Sequence, residues 1–332
     1  MKKIDLELKG GGAHGAFTWG ILDRLLDEKE LELDGFCGTS AGAMNAVCTS
    51  FGMMTGGREG AKNTLEKFWK EVSRVGQTSP LRPSFYDSFV SKGNMDYSPG
   101  YKFFSFLSEN FSPYQTDLGG VNPLEKLLNS VIDFEILHRQ APPKLFVCAT
   151  NVRTCEARIF GPKEISSKAI MASACLPYMY KAVEIDGEAY WDGGYMGNPP
   201  ISPLIEFTED TNDILLVQVN PIRIKSTPTT IEEIKDRVNE ISFNSSLVAE
   251  IRQVMFHQEL LDKGIDLDGK LKRTRLHNIS ADNFLHNLNL SSKLNTNWDY
   301  LVYLKELGRK AGEEWLNENL QHVGKKTTYV VA

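Results

Sequence analysis

Two glycine-rich turns, each lying between a short apolar strand and a helix, constrain this chain more than any other feature. The first is KGGGAHGAF, which follows the strand pattern of residues 4 to 8 and opens a helix with Phe17, Ile21, Leu22, Leu25 and Leu26 on one face. The second is GFCGTSAGAMNA, residues 35 to 46, which ends the strand LELDGFCG and opens the Ala-rich helix AGAMNAVCTSFG. Strand, turn, helix, repeated at once, predicts an α/β fold with a mainly parallel sheet and right-handed crossovers. Further strand signals are KLFVCATN (144 to 151) after Pro142-Pro143, and RIFG (158 to 161), which is expected to pair nearby. AIMASACLP reads as a short helix stopped before Pro177, and AVEIDGEAYWDGG as a hairpin turning at Asp186-Gly187. DILLVQVN, residues 213 to 220, is nearly all apolar and suits burial on both faces.

After Pro221 the pattern becomes helical. Thr230 and Glu233 form a capping box before Ile231, Ile234, Val238 and Ile241 at helical spacing. Residues 298 to 320 carry Tyr300, Leu304, Leu307, Ala311 and Trp315 on one stripe, read as a face packed on the core. A soft boundary falls near residues 205 to 222. It separates a first domain over 5 to 205, with an aromatic-rich insert at about 80 to 120, from a mostly helical C-terminal region over 222 to 332 that packs on the core. The insert holds ten aromatics between Phe85 and Tyr114, where the chain-wide 10% implies three. It reads equally as a lid or wall of an acyl pocket and as a subdomain with its own small core.

Composition narrows the partners. A 332-residue chain with 41% hydrophobic and 24% charged residues has an ordinary globular balance. A net charge of −6 argues against nucleic acid. Asp5, Glu7 and Lys9 interrupt any signal-peptide core after the two N-terminal lysines. Five cysteines without paired spacing read as reduced thiols, with Cys37 and Cys48 filling core space. The expected location is the cytoplasm, or outside the cell by a route needing no signal peptide.

The first glycine turn has two readings. Gly10-x-Gly12-x-x-Gly15 after a strand and before a helix is the context of a dinucleotide fingerprint, and Asp34 stands about twenty residues on, where a ribose ligand would sit. The same amides at a helix N-terminus also suit the oxyanion of acyl transfer. The second turn discriminates, because a dinucleotide site has no need of Gly38-x-Ser40-x-Gly42. In that spacing the glycines relieve crowding in a strand-to-helix turn and expose the serine hydroxyl. Ser40 then needs a base. His257, His277, His286 and His322 read as surface or structural residues, and a helix N-terminus lowers the basicity of His14. A carboxylate remains: Asp192 in AYWDGG ends an apolar strand, and Gly193-Gly194 let the backbone turn tightly toward another loop. Such a base requires desolvation, for which Tyr190 and Trp191 are candidate shields.

Taken in order, G-G-G-x-x-G, G-T-S-A-G and D-G-G resemble the patatin-like phospholipases and acyl hydrolases of bacterial type. The similarity covers roughly residues 5 to 205; a weaker likeness extends through the C-terminal part. The resemblance implies a three-layer α/β/α sandwich. It implies a Ser40–Asp192 dyad without histidine, and an oxyanion loop of Gly10, Gly11, Gly12 and Gly15 acting most directly through the Gly11 and Gly12 amides. Gly38, Gly42, Gly193 and Gly194 support the motifs. The implied substrate is a phospholipid or other acyl ester met at a transient membrane surface, with no cofactor or metal required. His14 stands where that family often has arginine or lysine. The alternatives are a non-catalytic lipid- or protein-binding module on the same fold, and a dinucleotide-binding protein.

Overall fold

The computed structural model describes residues 1–91, 93–116, 122–139, 144–207 and 211–330. Pro142-Pro143, the end of the aromatic insert at 117–120 and the last two residues lie outside this set. Eight described strands form one sheet: β1 (Lys2–Leu8), β2 (Leu31–Gly38), β3 (Lys144–Asn151), β4 (Ala157–Phe160), β5 (Val183–Ile185), β6 (Glu188–Asp192), β7 (Asp213–Gln218) and β8 (Arg275–Ser280). Their order is β5-β6-β3-β2-β1-β7-β8, with β4 paired to β3. The five strands β3, β2, β1, β7 and β8 run parallel. β4 and β6 lie antiparallel to β3, and β5 antiparallel to β6.

The helices are, in chain order, α1 (Gly15–Asp27), α2 (Ala41–Gly76), α3 (Phe85–Val90), α4 (Pro99–Asn110), α5 (Pro113–Thr116), α6 (Pro123–Val131), α7 (Phe134–Arg139), α8 (Ser167–Ser173), α9 (Ser202–Phe207), α10 (Ile231–Asp262), α11 (Asp282–Leu285) and α12 (Trp298–Asn319). Side-chain alternation along the strands assigns them to layers. Ile4, Leu6 and Leu8 of β1, with Leu215 and Val217 of β7, join a core built with α1, α2, α8 and α12. Ile214 and Leu216 of β7, with Cys37 and Phe146, join a second core against Leu204 of α9 and Leu247, Ile251 and Val254 of α10. Helices therefore cover both faces of a mainly parallel sheet, giving the α/β/α sandwich.

Local chemistry explains several boundaries. Asp186 and Gly187 both have positive φ, 53° and 78°, as a two-residue hairpin turn requires. Thr230 and Glu233 close the capping box of α10. α2 runs through a kink at Gly56 and Gly57, well beyond the stretch its Ala-rich start suggests. The stripe Ile231, Ile234, Val238 and Ile241 is exposed, whereas Phe243, Leu247, Ile251 and Val254 carry the packing of α10.

RLHNIS, to which the sequence pattern assigns no element, is the strand β8, and His277 within it is fully buried as a structural residue. Its Nε2 lies 2.9 Å from Asp213 and its Nδ1 2.8 Å from Thr328. Within the aromatic segment α4 contains no buried residue, whereas Asp87, Met95 and Ser98 beside it are buried.

Candidate active site

Strand register gathers the three glycine-bearing loops at one level. Leu8 of β1 pairs with Gly38 of β2, and Gly38 pairs with Val147 of β3. Two residues further on lie Gly10, Ser40 and Ala149, and Ala149 pairs with Asp192 of β6. A serine and a carboxylate separated by some 150 positions in the chain thus meet beside the first glycine loop. This lies at the C-terminal edge of the parallel strands. There β1 sends its crossover to β2 on one side and pairs with β7 on the other, the place where open α/β sheets bind ligands.

Ser40 sits between β2 and α2 with φ 55° and ψ −123°. A non-glycine residue there stores about 1–3 kcal/mol of strain, held by its surroundings. Its N–H donates to Ser173 Oγ at 2.8 Å, and Thr39 Oγ1 donates to the Gly197 carbonyl at 2.7 Å. Gly42 is required by close approach: a Cβ there would lie 1.9 Å from the Leu8 carbonyl oxygen. The turn is thereby pressed against the end of β1, and Ser40 remains half-buried.

Asp192 is buried and backbone-locked. Its N–H donates to the Cys175 carbonyl at 2.8 Å, and its carbonyl accepts from Thr150 Oγ1 at 2.8 Å. The carboxylate accepts the Gly194 N–H at 2.7 Å, and the neighbouring Ser40 side chain also favours its charged form. Gly193 and Gly194 form the first turn after the strand. Burial outweighs both and raises the Asp192 carboxyl to about 7. A group of that strength, beside a hydroxyl, suits general-base chemistry near neutral pH.

The first glycine loop lies against this pair. A Cβ on Gly10 would come within 2.9 Å of Ser40 Cβ. Gly12 has φ +57° and its α-carbon faces the Lys293 carbonyl, 2.5 Å from where a Cβ would be. The Gly10 N–H is taken by Asn198 Oδ1 at 2.9 Å, and that of Gly15 bonds back to the Gly12 carbonyl. The Gly11, Gly12 and Ala13 amides find no acceptor among the described residues, which leaves them as free donors of the loop, the first two on its glycines.

His14 is turned elsewhere. Its Nε2 is 2.8 Å from Ser292 Oγ, whose own hydrogen goes to the Asn289 carbonyl at 2.6 Å. Ser292 Oγ therefore accepts from Nε2–H, and the ring is neutral. Burial first, and Lys293 second, lower the His14 imidazole to about 3. It ties the glycine loop to the 3-10 turn Leu290–Leu294. Among the described residues no histidine shares a hydrogen bond with Ser40 or Asp192.

Asp34 does not reach the glycine loop. It lies inside β2, between the positions paired with Ile4 and Leu6, about 13 Å below the strand ends at 3.3 Å per residue. There it pairs with Lys144 at 2.9 Å, so the ribose-binding role lacks its geometry.

Support for the loop comes from residues to which the motifs assign no role. Lys9, fully buried before Gly10, donates from Nζ to Asn244 Oδ1 of α10, and burial lowers its ammonium to about 8. Asn198 Nδ2 donates to the Phe243 carbonyl at 3.0 Å, and Asn220 Nδ2 to the Gly10 carbonyl at 3.1 Å. The available signal was position: Asn198 follows the D-G-G stretch and Asn220 ends the β7 run.

The patatin-like phospholipase family model matches residues 6–205. The "Uncharacterized protein R571" of Acanthamoeba polyphaga mimivirus is 22% identical over 209 residues, spanning 60% of this chain and 60% of that protein. Among solved structures, VipD from Legionella pneumophila is similar with a TM-score of 0.46 and 15% identity, over 96% of this chain and 67% of that one. The ExoU–SpcU complex from the type III secretion system of Pseudomonas aeruginosa is similar with a TM-score of 0.41 and 14% identity, over 97% of this chain and 52% of that one.

Proposed function

The chain belongs to the patatin-like phospholipase family, and from that premise we propose that it hydrolyses carboxylic esters of lipids with Ser40 as nucleophile and Asp192 as general base. The observation that carries the reading is the strand register that sets Ser40 level with the buried Asp192 carboxyl beside the first glycine loop. In the first step Ser40 Oγ attacks the ester carbonyl carbon and its proton passes to Asp192. The carbonyl oxygen becomes an oxyanion beside the free Gly11 and Gly12 amides. Collapse breaks the ester C–O bond, and the departing alcohol takes the proton from Asp192. Water then attacks the acyl-enzyme, giving its proton to Asp192, and collapse releases the carboxylic acid while Ser40 recovers its proton. No metal is required by this sequence of steps.

A fluorophosphonate probe tests the reading. Covalent labelling is expected on the wild-type protein and not on Ser40→Ala. A folded, unblocked wild-type protein that takes no label would favour the non-catalytic binding module instead.

Contact with a membrane surface is part of the proposal. Among the described residues no helix is long and apolar enough to cross a membrane. Large apolar side chains are nevertheless exposed on α4, with Phe103 at 64% and Phe106 at 58%, and on the first half of α10. The Lys235–Glu109 ion pair, at 2.8 Å, joins these two helices. Exposed apolar surface of this kind suits a lipid interface. Removing residues 85 to 114 is expected to impair hydrolysis of long-chain esters more than that of short-chain ones. Equal loss on both would make the segment a purely structural insert.

A further inference from the structure

We propose that Asn220 is a positioning residue of the oxyanion hole, acting through the peptide bond between Gly10 and Gly11. This rests on the reading of Ser40 as an acyl-transfer nucleophile and specifies how its oxyanion donors are aimed.

The inference starts from peptide geometry. A trans peptide is planar, and its C=O and N–H point in opposite directions. Whatever fixes the Gly10 carbonyl therefore fixes the Gly11 N–H. The Gly10 carbonyl accepts from Asn220 Nδ2 at 3.1 Å. A carbonyl oxygen can only accept, so the Asn220 amide must present its NH₂ there and not its oxygen. The Gly11 N–H is thereby directed away from Asn220. It finds no acceptor among the described residues, in a loop whose Gly10 lies against Ser40.

Glycine gives the reason such a hold matters. With no side chain on Gly10, Gly11 or Gly12, little besides hydrogen bonding opposes rotation of these peptide planes. The plane before Gly10 is held by Asn198, which accepts the Gly10 N–H at 2.9 Å. The plane after it is held by Asn220. Asn220 is itself buried, 3% exposed, just beyond β7, and the β1–β7 register sets that segment alongside the loop. Its Oδ1 is buried without a hydrogen-bond partner among the described residues, so the hold on Gly10 is the bond its side chain supplies. Without it the plane is free to turn. A carbonyl oxygen facing the developing negative charge would then repel what the N–H is there to stabilise.

The test uses the full chain carrying Asn220→Ala or Asn220→Asp, assayed on a short-chain ester and on its thiono analogue. Sulfur in place of the carbonyl oxygen is a poorer hydrogen-bond acceptor, so the oxo-to-thiono rate ratio reports the aim of the oxyanion donors. The expected result is a kcat on the oxo ester lower by about 10–100-fold, since one lost donor costs about 10²–10³ and a turned one up to as much. KM should change by less than about twofold, with the oxo-to-thiono ratio falling alongside kcat. The pH midpoint of the reaction, set by Asp192, should not move. An unchanged kcat in either folded variant overturns the proposal, and so does a loss that leaves the oxo-to-thiono ratio intact. If Asn220→Ala unfolds, the isosteric Asn220→Asp carries the test; unfolding of both would make Asn220 a structural residue and also overturn it. A wild-type protein inert on both esters, or an active Ser40→Ala, would instead overturn the underlying acyl-transfer reading.

Discussion

Asp192→Asn is expected to lower ester turnover by about 10²–10⁴-fold, the usual contribution of a positioned general base, while raising the stability of the fold at alkaline pH. Both effects have one cause. The carboxyl is raised to about 7 because burial penalises its charged form more than the Gly194 hydrogen bond and the Ser40 side chain favour it. In the wild-type protein kcat/KM should rise with pH through about 7 and level off above it, as the base loses its proton. The stability effect has the opposite sign. An unfolded aspartate titrates near 3.9, so between about 4 and 7 the folded state holds a proton that the unfolded state has lost. Wild-type stability therefore falls as pH rises through that window. The rise from about 3.9 to about 7 corresponds to roughly 4 kcal/mol at most. Asparagine cannot ionise, so chemical denaturation should find Asp192→Asn more stable than wild type at pH 8 and nearly equal to it at pH 4. A variant that is inactive and also destabilised at pH 8 would mean that asparagine does not fit the site.

Gly42→Ala is expected to damage the fold severely. The added carbon would sit 1.9 Å from the Leu8 carbonyl oxygen and 2.5 Å from its carbon, both backbone atoms of a central strand. No rotamer change relieves that overlap, so α2 or β1 must move. Overpacking that displaces backbone costs about 3 kcal/mol or more, a large part of the stability of an ordinary domain. Denaturation midpoints should show it, with ester hydrolysis lost in parallel. Gly161→Ala is the control: the nearest atom is a flexible Glu164 oxygen 3.8 Å away, and the expected change is within about 0.5 kcal/mol. Comparable midpoints for the two variants would show that the elbow is not held as tightly as the contact implies.

Much of the sheet was legible because its central strands are buried on both faces. β7 reads as a nearly continuous apolar run, β2 and β3 read as short strands beside turns, and the structure keeps those boundaries closely. β1 was legible despite Asp5, Glu7 and Lys9, because Ile4, Leu6 and Leu8 alternate with them; the charged set is also buried, with Lys9 bonded to Asn244 of α10. β8 was not legible. Arg275, His277 and Asn278 look like a solvated loop until Asp213 is seen to pair with both Arg275 and His277. α10 misled for the opposite reason, since a regular isoleucine and valine stripe stands exposed while packing begins at Phe243.

The candidate site divides in the same way. Glycine spacing drew attention to Ser40, Asp192 and the first loop, but their meeting depends on register across β1, β2, β3 and β6, which no single stretch of sequence encodes. Position alone marked Asn198 and Asn220, and their hold on Gly10 could not be read from it, because an asparagine near a turn has many local uses and only the fold selects this one. His14 likewise changed meaning, since its partner Ser292 lies 278 positions away.

The central claim is that Asp192 receives the proton of Ser40, and the rate of Ser40 phosphonylation by a fluorophosphonate as a function of pH tests it most directly. For the wild-type protein the rate should climb with a midpoint near 7, with the adduct mapped to Ser40. For folded Asp192→Asn it should be lower by at least about 100-fold and show no such midpoint. An Asp192→Asn protein labelled at the wild-type rate with the wild-type pH profile would contradict the claim.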